Sequence, residues 1–188
     1  MNKKIVIYFG SQEHKRPFVE RILQDMKIPY TIIHDEQLLD TTGYLMELEG
    51  FQPHEDGVIP HYDSDLMILN SIDDEEIKTF NTLLKAFDLQ MPRKAMLTQH
   101  NQHWKVADLL QEIEKEHRYF QQVEQIKTIL SHSKDLIIEE YTPISWNVYE
   151  QAFYKAYDCI SKECTPEEMQ EAYQQLTDAL QQLDKRLH

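Results

Sequence analysis

Hydrophobic and polar positions change period along this chain. Ile5 to Phe9 (IVIYF) is a short β-branched and aromatic run that predicts a buried strand. After it Phe18, Ile22, Leu23 and Met26 recur at helical spacing until Lys27-Ile28-Pro29 closes the segment. Tyr30 to Ile33 predicts a second strand, and Leu38 to Leu48 a short helix weakened at its middle by Gly43. The same order then returns, with Leu66 to Leu69 as strand, Asp73 to Leu89 as a helix carrying Ile77, Phe80, Leu83, Leu84 and Phe87, Ala95 to Leu97 as strand, and a helix from Trp104 onward. A β-α-β-α duplication accounts for the repetition. Strands separated by helices favour parallel neighbours, so the expected unit is a small α/β domain with a mainly parallel sheet of about four strands. Between the halves, Phe51 to Asp65 (FQPHEDGVIPHYDSD) reads as a loop.

Beyond residue 105 the strand signals stop. Val106, Leu109, Leu110, Ile113, Phe120, Val123, Ile126 and Leu130 hold helical phase, either as one long helix or as two that part near His117. Two helix entries follow the same recipe. In Tyr141-Thr142-Pro143-Ile144-Ser145-Trp146 the Thr142 hydroxyl can cap a free amide, Pro143 falls where its missing donor is harmless, and Tyr141 and Trp146 form a hydrophobic staple. In Thr165-Pro166-Glu167-Glu168 the cap gains a capping-box glutamate, with Cys164 and Met169 at the staple positions. The stripes that follow are Trp146, Tyr149, Phe153, Ala156, Tyr157 and Ile160, then Met169, Ala172, Tyr173, Leu176, Ala179, Leu180, Leu183 and Leu187. With the helix ending near Leu130 they predict an antiparallel three-helix bundle. The expected division is an α/β domain over residues 1–118 and a helical bundle over 119–188.

Charge narrows the function classes. Against 33 acidic residues stand 19 basic ones, and the net charge of -14 repels phosphate backbones and anionic lipid headgroups. Neither a nucleic-acid nor a membrane partner is expected; a basic protein partner suits such a surface. The Ile5 to Phe9 run is too short for a signal-peptide core. With no bilayer-length apolar stretch and with Cys159 and Cys164 as the two cysteines, the sequence predicts a protein of the reducing cytoplasm whose cysteines are structural.

Catalytic motifs are missing. The chain holds 4 glycines and cannot write a G-x-G-x-x-G or Walker loop, nor does it contain G-x-S-x-G, H-E-x-x-H or C-x-x-C. No cofactor and no catalytic residue is assigned. Two clusters remain. His54, Glu55, Asp56, His61 and Asp63 are ligand types suited to zinc or a similar metal, although an acidic loop has the same composition. Thr98, His100, Asn101, His103 and Trp104 lie where a strand end meets a helix start, the place where open sheets bind ligands. The plainer reading there is that Thr98 or Asn101 caps the helix and Trp104 packs on the sheet. Arg93 and Lys94 fall at the opposite end of that strand. An interaction module is therefore the leading expectation, with a small-ligand protein or enzyme at the Thr98 to Trp104 turn as the alternative.

Two family resemblances attach to these residues. YTPISW, the alanine-punctuated stretch from Ala152 to Tyr157, and TPEEMQEAYQQLTDALQQL resemble the three-helix FIVAR module over residues 119–187. PRKAMLTQHNQHWKVADLLQEIEKEH resembles an uncharacterised bacterial domain of unknown function, a likeness that extends over most of residues 1–118 and implies no activity.

Overall fold

The computed structural model describes residues 3–10, 13–54 and 57–186, and the chain divides into two compact units, Met1–Glu114 and Lys115–His188. The first contains β1 (Lys4–Tyr8), α1 (Arg16–Asp25), β2 (Tyr30–Ile33), the single turn α2 (Thr42–Leu45), β3 (Leu66–Asn70), α3 (Asp74–Lys85) and β4 (Lys94–Met96). It also holds the start of α4 (Val106–His132). The second holds the rest of α4, α5 (Pro143–Lys162) and α6 (Pro166–Gln181).

The sheet is mixed, with strand order β2-β1-β3-β4, which corrects the expectation of a mainly parallel one. Each β-α-β unit does make a parallel pair, β1 with β2 and β3 with β4, but the pairs join through β1 and β3, which run antiparallel in the register Val6 to Ile68. Both joining strands are buried along their whole length. A long connection from β2 to β3 lets the second β-α-β repeat enter the sheet reversed. Period-2 alternation then sorts the core. Ile5, Ile7, Met67 and Leu69 face α1 and α3, while Val6, Tyr8, Leu66 and Ile68 face α2 and the start of α4.

The helix expected over Leu38 to Leu48 is broken. Asp35–Leu39 forms a 3-10 helix, Asp40 is extended, and Thr41 caps the short α2 by accepting from the Tyr44 amide. The break has a tertiary cause, since the Asp40 carbonyl accepts the Val106 amide and the Thr42 amide donates to the Trp104 carbonyl. Gly43 sits in this crowded place; a Cβ there would lie 2.8 Å from the Gln102 carbonyl oxygen.

Helix α4 is continuous through His117. In the second unit Ile126, Tyr149, Ala152, Ala156, Met169, Ala172, Leu176 and Ala179 share one core drawn from α4, α5 and α6. Thr142 and Thr165 cap as their sequences foretell, accepting from the Ser145 and Glu168 amides. Tyr141 and Trp146 stack at 5.9 Å. The stripes are less perfect than the sequence suggests, because Phe120 and Tyr157 are exposed; Leu187 lies outside the described residues. Cys159 and Cys164 form a disulfide across the α5–α6 turn, with Cα atoms 5.1 Å apart. The cysteines are thus structural, yet a formed disulfide runs against the expectation of a reducing compartment. No helix is long and apolar enough to cross a membrane among the described residues.

Candidate functional site

A cluster of polar side chains lies at the carboxyl ends of β1 and β2. Tyr8 ends β1, and its hydroxyl donates to Asp35 Oδ1 at 2.7 Å. Asp35 follows β2 and its other oxygen meets His61 Nδ1 at 2.9 Å, while His61 Nε2 lies 3.5 Å from Asp63. The loop is further pinned by the Tyr62 amide, which donates to the Tyr8 hydroxyl, and by Gln111, which donates to the Tyr62 hydroxyl. Gly10 is needed here because a Cβ would stand 2.0 Å from the Tyr62 carbonyl oxygen. Beside it Asp65 accepts from the Gly10 amide and forms a buried ion pair with Lys15 at 3.0 Å.

The electrostatics of this cluster favour its resting charges. The Tyr8 hydroxyl is pushed up to about 12, first by burial and then by its bond to Asp35. The bond from Tyr8 and the one from His61 hold Asp35 below the usual carboxylate value, and the bond to Asp35 raises His61 above its ordinary 6.5. Asp35 orients the imidazole and leaves Nε2 turned to the exposed Asp63. The arrangement clasps the 57–65 loop to the sheet edge. The sign of its pH dependence follows. The raised His61 contributes stability that is complete below 6.5 and is lost as pH rises through its folded value; the lowered Asp35 contributes stability present above 3.8 and lost as pH falls through its folded value. Urea midpoints of the wild type should therefore decline on the alkaline side of 6.5, and His61→Gln should abolish that decline. An unchanged decline in the variant would assign it to other groups.

The Thr98 to Trp104 turn is built differently. Thr98 and Asn101 cap one another, the Thr98 amide donating to Asn101 Oδ1 at 2.8 Å and the Asn101 amide to Thr98 Oγ1 at 3.1 Å. Asn101 Nδ2 donates to the Met96 carbonyl, and the Thr42 hydroxyl donates to the Asn101 carbonyl. His100 sits edge-on to Trp104, and His103 lies 5.1 Å from the Phe51 ring. Trp104 is half-buried against the core of the first unit. The polar groups of Asn101 are thus engaged with backbone. Asn101→Ala should cost about 1–2 kcal/mol through the lost cap and the amide and carbonyl left unpaired. Thermal unfolding would check it, with His103→Ala expected to change stability little.

The sequence-predicted metal cluster is only partly assembled. Glu55 and Asp56 lie outside the described residues, the His54 amide donates to Asp40, and His61 is held between Asp35 and Asp63. Among the described residues no group of three or more His, Cys, Asp or Glu side chains is arranged to hold a metal ion. Sequence reasoning missed Tyr8 and Asp35. The rule that ligand sites gather at the carboxyl ends of parallel strands, applied to β1 and β2 as well as to β4, would have marked both.

Residues 65–120 match the family described as a domain of unknown function, DUF3783. The DUF3783 stretch takes in β3, α3, β4, the Thr98 to Trp104 turn and the first half of α4, and it ends short of nearly all the residues that carry the FIVAR resemblance. No curated protein and no solved structure matches the chain.

Proposed function

We propose that the protein is a non-enzymatic interaction module of the cytoplasm, that α4 to α6 act as an antiparallel three-helix bundle of FIVAR type, and that its partner is a basic, amphipathic protein segment. One observation carries this reading. Ile144 and Val148, one turn apart at the start of α5, are 82% and 48% exposed. They line a groove of about 540 Å³ with Asp184 and Gln182 at the end of α6. Exposed aliphatic side chains beside carboxylates suit a segment with apolar residues on one face and Lys or Arg on the other. Glu139 and Glu140, both exposed, lead into the same helix, and the net charge of -14 extends the attraction to long range. In a cytoplasmic setting the Cys159 and Cys164 pair would stand as two thiols.

Fluorescence anisotropy with a labelled helical peptide carrying Leu on one face and Lys on the other tests it. Binding should weaken with salt, and Ile144→Asp should weaken it by about tenfold or more, the equivalent of 1.4 kcal/mol. Equal binding by the variant, or none by the wild type, would overturn the assignment. The exposure of Ile144 means the substitution spares the fold.

A further inference from the structure

Lys94 occupies an unusual position for a lysine. It opens β4, an edge strand of 3 residues, and alternation turns its neighbour Ala95 to one face of the sheet and Lys94 to the face covered by α3. Its ammonium lies 6.0 Å from the centroid of the buried Phe80 ring, and it donates to the Met91 carbonyl. On one side of its stem is an apolar cavity of about 10 Å³, hardly room for one water. On the other is an open groove of about 430 Å³ lined by Asn81, Leu84 and Lys85 of α3 and by Gln90 and Pro92. Burial pulls Lys94 down to about 8. The charged groups that line these two cavities with it are Lys85 and Glu76, the latter tied to Lys3; α3 also carries Asp74, Glu75 and Lys78, and the neighbouring Arg93 pairs with Glu114.

We propose that Lys94 is the covalent anchor for a small anionic carbonyl compound, an aldehyde or α-keto acid, bound in this groove as a Schiff base. Lys85 supplies a second positive charge for the carboxylate or phosphate of the ligand, and the Asn81 and Gln90 amides supply neutral donors. The neutral amine adds to the carbonyl carbon. The carbinolamine then loses the carbonyl oxygen together with both amine hydrogens as water, leaving the imine, so no oxidant or reductant is required. At pH 7.5 about a quarter of a lysine that titrates near 8 is neutral, against about one in a thousand of an ordinary lysine. An inward-turned lysine also guards an edge strand against pairing with another sheet. That role alone needs neither a reactive amine nor an open groove beside it.

The test uses the intact chain, with glyoxylate as the anionic probe and propionaldehyde as the neutral one, each trapped by cyanoborohydride and located by peptide mass spectrometry. Glyoxylate should label Lys94 about tenfold or more ahead of the other lysines at pH 7.5, and the labelling rate should rise with a midpoint near pH 8. Lys94→Arg should remove the dominant adduct, and Lys85→Ala should reduce glyoxylate labelling while leaving propionaldehyde labelling unchanged. Labelling of Lys94 no faster than that of surface lysines would overturn the proposal and leave Lys94 as an edge guard. Equal labelling by both probes, or no effect of Lys85→Ala, would overturn the anionic ligand class.

Discussion

Asp65→Ala is expected to remove about 3–5 kcal/mol from the stability of the first unit, because it strands a buried ammonium. Lys15 and Asp65 are both almost wholly buried and their charged atoms are 3.0 Å apart. Without the carboxylate, Lys15 keeps the Gln90 carbonyl at 2.8 Å as its acceptor, and the Gly10 amide loses its partner. The Coulomb attraction itself is not the source of so large a number, since desolvation offsets most of it; the cost is that of leaving one charge unpaired in a medium of low polarity. Replacing both partners, as in Lys15→Met with Asp65→Leu, should therefore recover much of the loss. Urea unfolding followed through Trp104, in a Trp146→Phe background, reports this unit alone. A loss below about 1 kcal/mol for Asp65→Ala would show that water reaches the pair.

Trp146→Ala is the second large effect, with about 3 kcal/mol or more lost from the second unit. The indole stacks on Tyr141 at 5.9 Å and meets Tyr149 at 5.7 Å, and it packs against the core that α4, α5 and α6 share. Its truncation opens a cavity at the helix entry and releases the staple. The indole N–H is buried and meets no acceptor among the described residues, which carries a cost of its own. Trp146→Phe keeps the ring and deletes that donor, so it should cost less than about 1 kcal/mol. Chemical denaturation of the two variants, followed by far-UV circular dichroism, separates the outcomes. Near-equal stability of Trp146→Ala and wild type would mean that the ring serves something other than the fold.

These two sites differ in how far they could be read from residues alone. The staple and caps around Trp146 and Thr165 were legible because capping is local: a hydroxyl at one position and an amide three residues on are brought together by the helix itself. The Lys15 to Asp65 pair was not, since its partners are 50 residues apart and neither sits in a pattern that names the other. The candidate sites divide the same way. The capping chemistry of Thr98 and Asn101 was available from their residue types, but the structure spends it within their own turn and not on the expected helix, since Trp104 is extended and α4 starts at Val106. The Tyr8, Asp35 and His61 cluster needed two strand ends and a loop to be placed side by side, and Lys94 looked like one half of a basic pair until α3 was laid over it.

The sequence by itself determined the order of strands and helices, the burial of β1, the helix entries at Thr142 and Thr165, and the change from α/β to helix after β4. All of these rest on hydrophobic period and on contacts within about one helical turn. Only the tertiary structure decided that β1 and β3 run antiparallel, that Asp40 breaks the helix expected from Leu38, that α4 passes His117 unbroken, and which buried charges meet. Alternation along a strand is the same in either direction, so it sorts side chains between the two faces and says nothing of the sense in which the neighbouring strand runs. The pairing of a charge depends on loop closures that leave no periodic mark in the chain.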